Sequence, residues 1–316
     1  MLHVLSIVPS ESMSSPEPSS SVQSSIPSAP CTSALVDSYT YHSPTPTAEG
    51  PYIMGVDEAG RGPVLGPMVY GVAYCPAAWK EDLEQLGFAD SKTLTHETRA
   101  GLLSVLSSEP EKLGWSVRVL SPQGISSGML RHIPTNLNQQ SRDATVLLIR
   151  EVIRSGLTLS EVYVDALGNT TTYAEFLTRT FPGISFTVTS KADSKFKIVG
   201  AASVAAKVTR DACIEGWVFE EGDEGGWSRD LGSGYPSDPK TQAWIKNSID
   251  PVFGLPSLAR FSWTTVKVAL ERDAHAVKWV DEGQEALVSA FQSAVGRDKD
   301  RCAVTKDLGI KSIGTL

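Results

Sequence analysis

The stretch Gly55-Val56-Asp57-Glu58-Ala59-Gly60-Arg61-Gly62-Pro63-Val64-Leu65-Gly66-Pro67 decides how the rest of this chain is read. Two adjacent carboxylates close an apolar run, and a glycine-framed arginine follows at once. That order suggests a metal-bound acid beside phosphate chemistry. Successive side chains of a strand point to opposite faces, so Asp57 and Glu58 can share a site only where the strand ends or bulges. Gly60, Gly62 and Gly66 supply irregularity there, and without a Cβ they let a ligand approach the backbone. The bland alternative is a hairpin with a solvated acidic turn, and the choice depends on the other acids.

The chain has 316 residues and a mass of 33.9 kDa, with an apolar fraction of 41% that is enough for a sizeable core. Four well-separated cysteines, Cys31, Cys75, Cys213 and Cys302, contain no Cys-x-x-Cys pair. That argues against a zinc site or a disulfide framework and for a reducing, intracellular setting. The first eight residues are too short and lack the basic flank of a signal peptide, and no apolar run is long enough to cross a bilayer. A net charge of −8 and a pI near 5.2 look wrong for a nucleic-acid protein. A groove needs only a local cluster of Lys and Arg, however, and metal-binding acids count as negative in such a sum.

Residues 1–48 are rich in Ser, Pro and Thr, and that composition predicts a disordered tail, with a phosphorylatable or partner-binding segment as the functional alternative. Strands are expected at 52–57, 68–75, 113–120, 161–167 and 184–189. The third should be half-buried, because Leu113, Trp115, Val117 and Val119 alternate with Gly114, Ser116 and Arg118. Helices are expected at 95–106, from Ser121-Pro122, at 139–155, from the capping-box pattern Thr172-Tyr173-Ala174-Glu175, at 198–221, from Asp238-Pro239, and at 262–280. The order describes an α/β fold, a mixed sheet flanked by helices. Three domains follow: the tail to residue 48, a catalytic domain over 49–270, and a helical, partner-binding extension over 271–316.

Asp57, Asp165 and Asp193 each fall at or just beyond the carboxyl end of an expected strand, the edge where open α/β sheets bind ligands. Together with Glu58 they require a cation, since like charges about 4 Å apart repel by roughly 4 kcal/mol at an effective dielectric near 20. Oxygen ligands without a His or Cys cluster favour Mg2+ or Mn2+, and a pair of such ions suits hydrolysis of a phosphodiester. Lys191, Lys195 and Lys197 flank Asp193, and Lys207 with Arg210 follow on the next helix; each could also be a solvated basic face. Lys92, in Asp90-Ser91-Lys92-Thr93-Leu94, is equally ambiguous alone. Tyr235, in Gly232-Ser233-Gly234-Tyr235-Pro236, could stack on a sugar or base. His96 and His132 have no partners at metal spacing and read as structural, and the Ala-rich face of the 198–221 helix reads as core.

Taken together, Gly55 to Pro63, Asp90 to Leu94, Tyr163-Val164-Asp165, Lys191-Ala192-Asp193 and Gly232 to Pro236 resemble the motifs of type 2 ribonuclease H, in order, over about residues 50–270. The segments Val64 to Tyr70 and Pro251-Val252-Phe253-Gly254 look like its eukaryotic catalytic (A) subunits. The resemblance implies a ribonuclease H-like fold and cleavage of RNA in RNA/DNA hybrids, with incision 5′ to single ribonucleotides in duplex DNA. It further implies two-metal catalysis with Mg2+ or Mn2+, 3′-hydroxyl and 5′-phosphate ends, two accessory subunits in a heterotrimer, and a nuclear location. By position, Asp57, Glu58, Asp165 and Asp193 would be the metal-binding carboxylates. Gly60, Arg61 and Gly62 would meet the 2′-hydroxyl side of the scissile nucleotide, and Tyr235 would stack at the RNA-to-DNA junction. Lys92, Asn136 and Arg210 would be phosphate contacts. The rivals are a junction resolvase or transposase-type nuclease sharing the carboxylates, and a scaffold that keeps the fold for binding only.

Overall fold

A computed structural model describes residues 26–29, 33–88, 96–166, 168–222 and 226–276. The chain divides into two units, residues 1–274 and 275–316, and every element below belongs to the first. The strands are β1 (Tyr39–His42), β2 (Tyr52–Ala59), β3 (Met68–Pro76), β4 (Gly114–Leu120), β5 (Leu159–Asp165) and β6 (Ser185–Thr189). They form one sheet in the order β1-β4-β3-β2-β5-β6. Pairing is antiparallel from β1 to β2 and parallel from β2 through β5 to β6. The helices are α1 (Lys80–Gln85), α2 (His96–Leu106), α3 (Pro122–Leu130), α4 (Leu137–Arg154), α5 (Thr170–Thr180), α6 (Ala192–Lys195), α7 (Lys197–Glu215), α8 (Pro239–Asn247) and α9 (Thr264–Asp273).

The sheet is covered on both faces, which its side-chain alternation explains. Ile53 of β2, Ala73 of β3 and Trp115 and Val117 of β4 join a core with the buried Ala201, Ala202, Ala205 and Ala206 of α7. Met54 and Val56 of β2, with Tyr70 and Val72 of β3, join a second core with Leu148, Ile149 and Val152 of α4. Two strand glycines set the depth of α7. A Cβ at Gly55 would collide with the backbone of Ile198, and one at Gly71 with the carbonyl of Ala202. The helix backbone therefore rests on the sheet backbone, the close approach that a glycine inside a strand often marks.

Several expectations need correction. The tail was expected to be disordered through residue 48, yet Tyr39–His42 is an edge strand paired with β4. Upstream of it, Ser28, Ala29 and Leu35 are buried, and the Ser28 hydroxyl lies 2.7 Å from the Thr209 hydroxyl of α7. β4 is buried from Gly114 to Val117 rather than half-buried, and Ser116 on its second face bonds the His42 ring at 2.8 Å. The cap of α5 is Asn169, whose side chain accepts from the Thr172 amide at 3.1 Å, so the Thr172 capping box is not used. α7 ends at Glu215 and α9 at Asp273, each short of its expected limit. Cys75 and Cys213 are buried and free. Among the described residues, no helix is long and apolar enough to cross a membrane.

Candidate active site

Because β2, β5 and β6 are parallel, their carboxyl ends share one edge of the sheet. Asp57 lies in β2, Asp165 is the last residue of β5, and Asp193 sits in α6 just after β6. With Glu58 they line one cavity of about 1120 Å³. β2 is regular against β3 through Ala59, with no bulge at the acids, but its pairing with β5 stops at Val56. Asp57 and Glu58 therefore flank the strand end from opposite faces. Asp57 lies toward α7, where Ser203 bonds it, while Glu58 neighbours Tyr70 on the α4 side. The strand is ending, as their sharing of a site required.

Electrostatics mark this pair. Burial, opposed by the Ser203 hydrogen bond and reinforced by Asp165, pushes the Asp57 carboxyl up to about 7. Burial and the Asp57 charge push Glu58 up to about 8, against the pull of Arg61. Among the described residues no three acidic, His or Cys side chains are drawn together tightly enough to hold an ion as they stand. One oxygen of Asp57 accepts from the Glu58 amide, one of Asp165 from the Ala192 amide, and one of Asp193 from the Ser194 amide, at 2.7, 3.0 and 3.0 Å. Four carboxylates on one cavity, two of them held uneasily charged by burial, fit a hard divalent cation as a donor set.

The glycine-framed segment is held from behind. Arg260, fully buried, donates to the carbonyls of Gly60, Arg61 and Gly66 at 2.6, 3.1 and 2.8 Å. The Trp263 indole donates to the carbonyl of Gly62 at 3.2 Å, and its ring lies 4.8 Å from the Arg260 guanidinium. In a trans peptide the N–H of the next residue points away from the carbonyl. With the Gly60 and Arg61 carbonyls drawn inward, the amides of Arg61 and Gly62 face away from Arg260, in a segment that lines the cavity. The Arg61 side chain is anchored on α4, donating to Ser141 at 2.5 Å and to Asn138. The Tyr235 ring closes on Gly62, where an added Cβ would sit 2.9 Å from it.

The remaining expected residues divide. Lys207 and Arg210 line the cavity, Arg210 wedged beside Gly60 and ion-paired to Asp211 at 3.9 Å. Lys195 instead ties down its own loop, donating to Thr189 and the Ser190 carbonyl at 2.7 and 3.0 Å. Lys191 is exposed at the head of α6 with a left-handed φ of 55°, and Lys197 lines a small pocket elsewhere. Asn136, expected as a phosphate contact, is the exposed cap of α4, accepting from the Gln139 amide at 2.9 Å, and lies outside the cavity lining. His132 is exposed. Lys92 lies outside the described residues, as does the side chain of His96. Sequence reasoning missed Ser203, Asn138, Ser141, Arg260 and Trp263. Only Arg260 left a signal, as a lone cation among the apolar residues around Leu258 and Phe261.

Residues 54–266 match the protein family described as Ribonuclease HII. The chain is 46% identical to the A subunit of ribonuclease H2 from Rattus norvegicus, over 77% of this chain and 81% of that relative. It is 46% identical to the corresponding Homo sapiens protein over 78% and 83% of the two chains, and 44% identical to that of Arabidopsis thaliana over 84% and 86%. Among solved structures, ribonuclease H2 from Pyrococcus horikoshii OT3 superposes with a TM-score of 0.57 at 33% identity, covering 70% of this chain and 98% of that one.

Proposed function

The chain belongs to the ribonuclease HII family and is an endoribonuclease, and from that premise we propose that it hydrolyses RNA in RNA/DNA hybrids and incises 5′ to single ribonucleotides in duplex DNA. The observation that carries this reading is the juxtaposition of the acids with a backbone segment whose Arg61 and Gly62 amides face away from the carbonyl clamp of Arg260. The 2′-hydroxyl is what separates RNA from DNA at a given position, and a backbone amide beside a glycine can approach it closely.

Asp57, Glu58, Asp165 and Asp193 would hold two divalent cations, Mg2+ or Mn2+, which supply an activated water and stabilise the leaving oxygen, giving 3′-hydroxyl and 5′-phosphate ends. The chain's own groups do the rest. Ser203 fixes the Asp57 carboxylate by a hydrogen bond, and Lys207 offsets part of the negative charge. Gly60, Arg61 and Gly62 present backbone to the ribose, with the Arg61 guanidinium serving as anchor on α4. Tyr235, half-exposed above Gly62, offers a ring for stacking at the RNA-to-DNA junction. Arg210 places one cation at the cavity wall for a phosphate. The relatives are themselves named as one subunit of ribonuclease H2, which supports a complex with two accessory subunits, and we place that complex in the nucleus.

The test is cleavage of an RNA/DNA hybrid and of a duplex with one ribonucleotide, with and without divalent metal and accessory subunits. Metal-dependent cutting on the 5′ side of the ribonucleotide is expected. Robust cutting of all-DNA junctions in its place would overturn the reading.

A further inference from the structure

We propose that Thr241, together with Asp238, is a positioning residue for Tyr235, fixing the ring over Gly62 and thereby the enzyme's preference at an embedded ribonucleotide. The inference rests on the function proposed above. Tyr235 is 49% exposed, so burial of its own ring cannot hold it in place. The backbone beneath it is held instead. The buried Thr241 hydroxyl accepts from the Gly234 amide at 2.9 Å and donates to the Leu231 carbonyl at 2.8 Å, bridging both sides of the loop.

Asp238 closes the other side. One carboxylate oxygen accepts from the Ser233 amide at 2.5 Å and the other from the Lys240 amide at 3.1 Å. Gly232 and Gly234 are both left-handed, at φ 65° and 77°, and a Cβ at Gly232 would collide with the Asp238 carboxylate. The Ser233 amide, more than any other group, draws the Asp238 carboxyl down to about 2, so this brace is ionised throughout the physiological range. The loop then reaches the ribose-facing segment directly, since the Gly234 carbonyl accepts from the Val64 amide at 2.7 Å. Thr241 thus sits two hydrogen bonds from the segment that carries Gly62, while belonging to a helix that lines no part of the catalytic cavity.

Thr241→Val keeps the side chain's shape and removes the hydroxyl, leaving a donor and an acceptor unpaired in a buried place. In the full chain, that variant should lose about tenfold in kcat/KM on a duplex with one ribonucleotide, the effect of one such bond, and less on an all-RNA hybrid. Thr241→Ser should restore it. In a Tyr235→Ala background the same change should cost nothing further, because the two residues act through one ring. Amide hydrogen exchange at Gly234 and Val64 should quicken in Thr241→Val and in Asp238→Asn, whatever the activity. Equal losses with and without Tyr235, or unchanged exchange at both amides, would overturn the proposal. If the parent protein cuts no ribonucleotide-containing duplex, the functional reading fails by itself, and the exchange measurement still decides whether Thr241 holds the loop.

Discussion

The guanidinium of Arg260 donates to the carbonyl of Gly60 at 2.6 Å, joining two residues that lie 200 positions apart in the chain. Burial, helped by the nearby charge of Arg210, lowers the Arg260 pKa to about 9, and the carbonyls it binds replace the water it has lost. Lysine offers a compact point charge in place of a planar fork and cannot span three carbonyls in this way. Arg260→Lys should therefore destabilise the protein by about 2–4 kcal/mol and reduce cleavage further than it reduces folding. Urea unfolding beside kcat/KM checks this, and a variant as stable and active as the parent would contradict the clamp.

Gly60 has φ 78°, and an added Cβ would strike the Arg210 side chain and lie 2.7 Å from the Pro67 carbonyl. Gly60→Ala should cut kcat/KM by at least about tenfold with the far-ultraviolet spectrum preserved. Gly55→Ala should act differently, because it meets the backbone of Ile198, which cannot rotate away. A large loss of melting temperature is expected there, and a Gly55→Ala protein melting like the parent would refute the backbone contact.

Asp57 and Glu58 have carboxyls raised to about 7 and 8, well above those of an unfolded chain. A raised pKa means that the protonated form is favoured by folding, so this contribution is complete below about pH 4 and is lost as pH climbs through 7 to 8. Metal-free protein should lose melting temperature across that window, and Mg2+ should restore it most at the alkaline end. Asp57→Asn should raise the metal-free melting temperature at pH 8 and abolish nearly all cleavage while leaving substrate binding in place. A melting temperature that ignores both metal and the substitution would count against a shared cation site.

Deleting residues 1–43 removes β1 and the Ser28 contact to Thr209, exposing the outer edge of β4. An uncovered edge of that kind invites pairing with other chains. The shortened protein should unfold at lower urea concentration and aggregate faster than the parent, measured by light scattering. Unchanged behaviour on both counts would mean that the segment is dispensable.

Much of this site was legible because its acids come from strand ends, and an apolar run closed by Asp announces both the strand and its edge. Asp57, Asp165 and Asp193 could be placed together from parallel order alone. Arg260 could not, since its carbonyl partners lie up to 200 residues away and carry no side-chain signature. β1 was hidden by the Ser, Thr and Pro around it. Tyr39 and Tyr41 supply the apolar surface that the composition of the segment obscured. At Asn136 the helix needed a cap, and Asn138, two residues on and facing Arg61, took the polar contact nearer the site. The Thr172 pattern failed for a like reason, since Asn169 offers the same kind of cap three residues earlier.

The seating of α7 on Gly55 and Gly71 has a further consequence. Most helix-to-sheet spacings are set by side chains, which can be traded for larger or smaller ones as a lineage drifts. Here main chain meets main chain, so the gap between the strand bearing Asp57 and the helix bearing Ser203 and Lys207 has no adjustable shim. New specificity in such a molecule must come from the loops that frame the cavity, because the distance at its centre cannot be tuned by degrees.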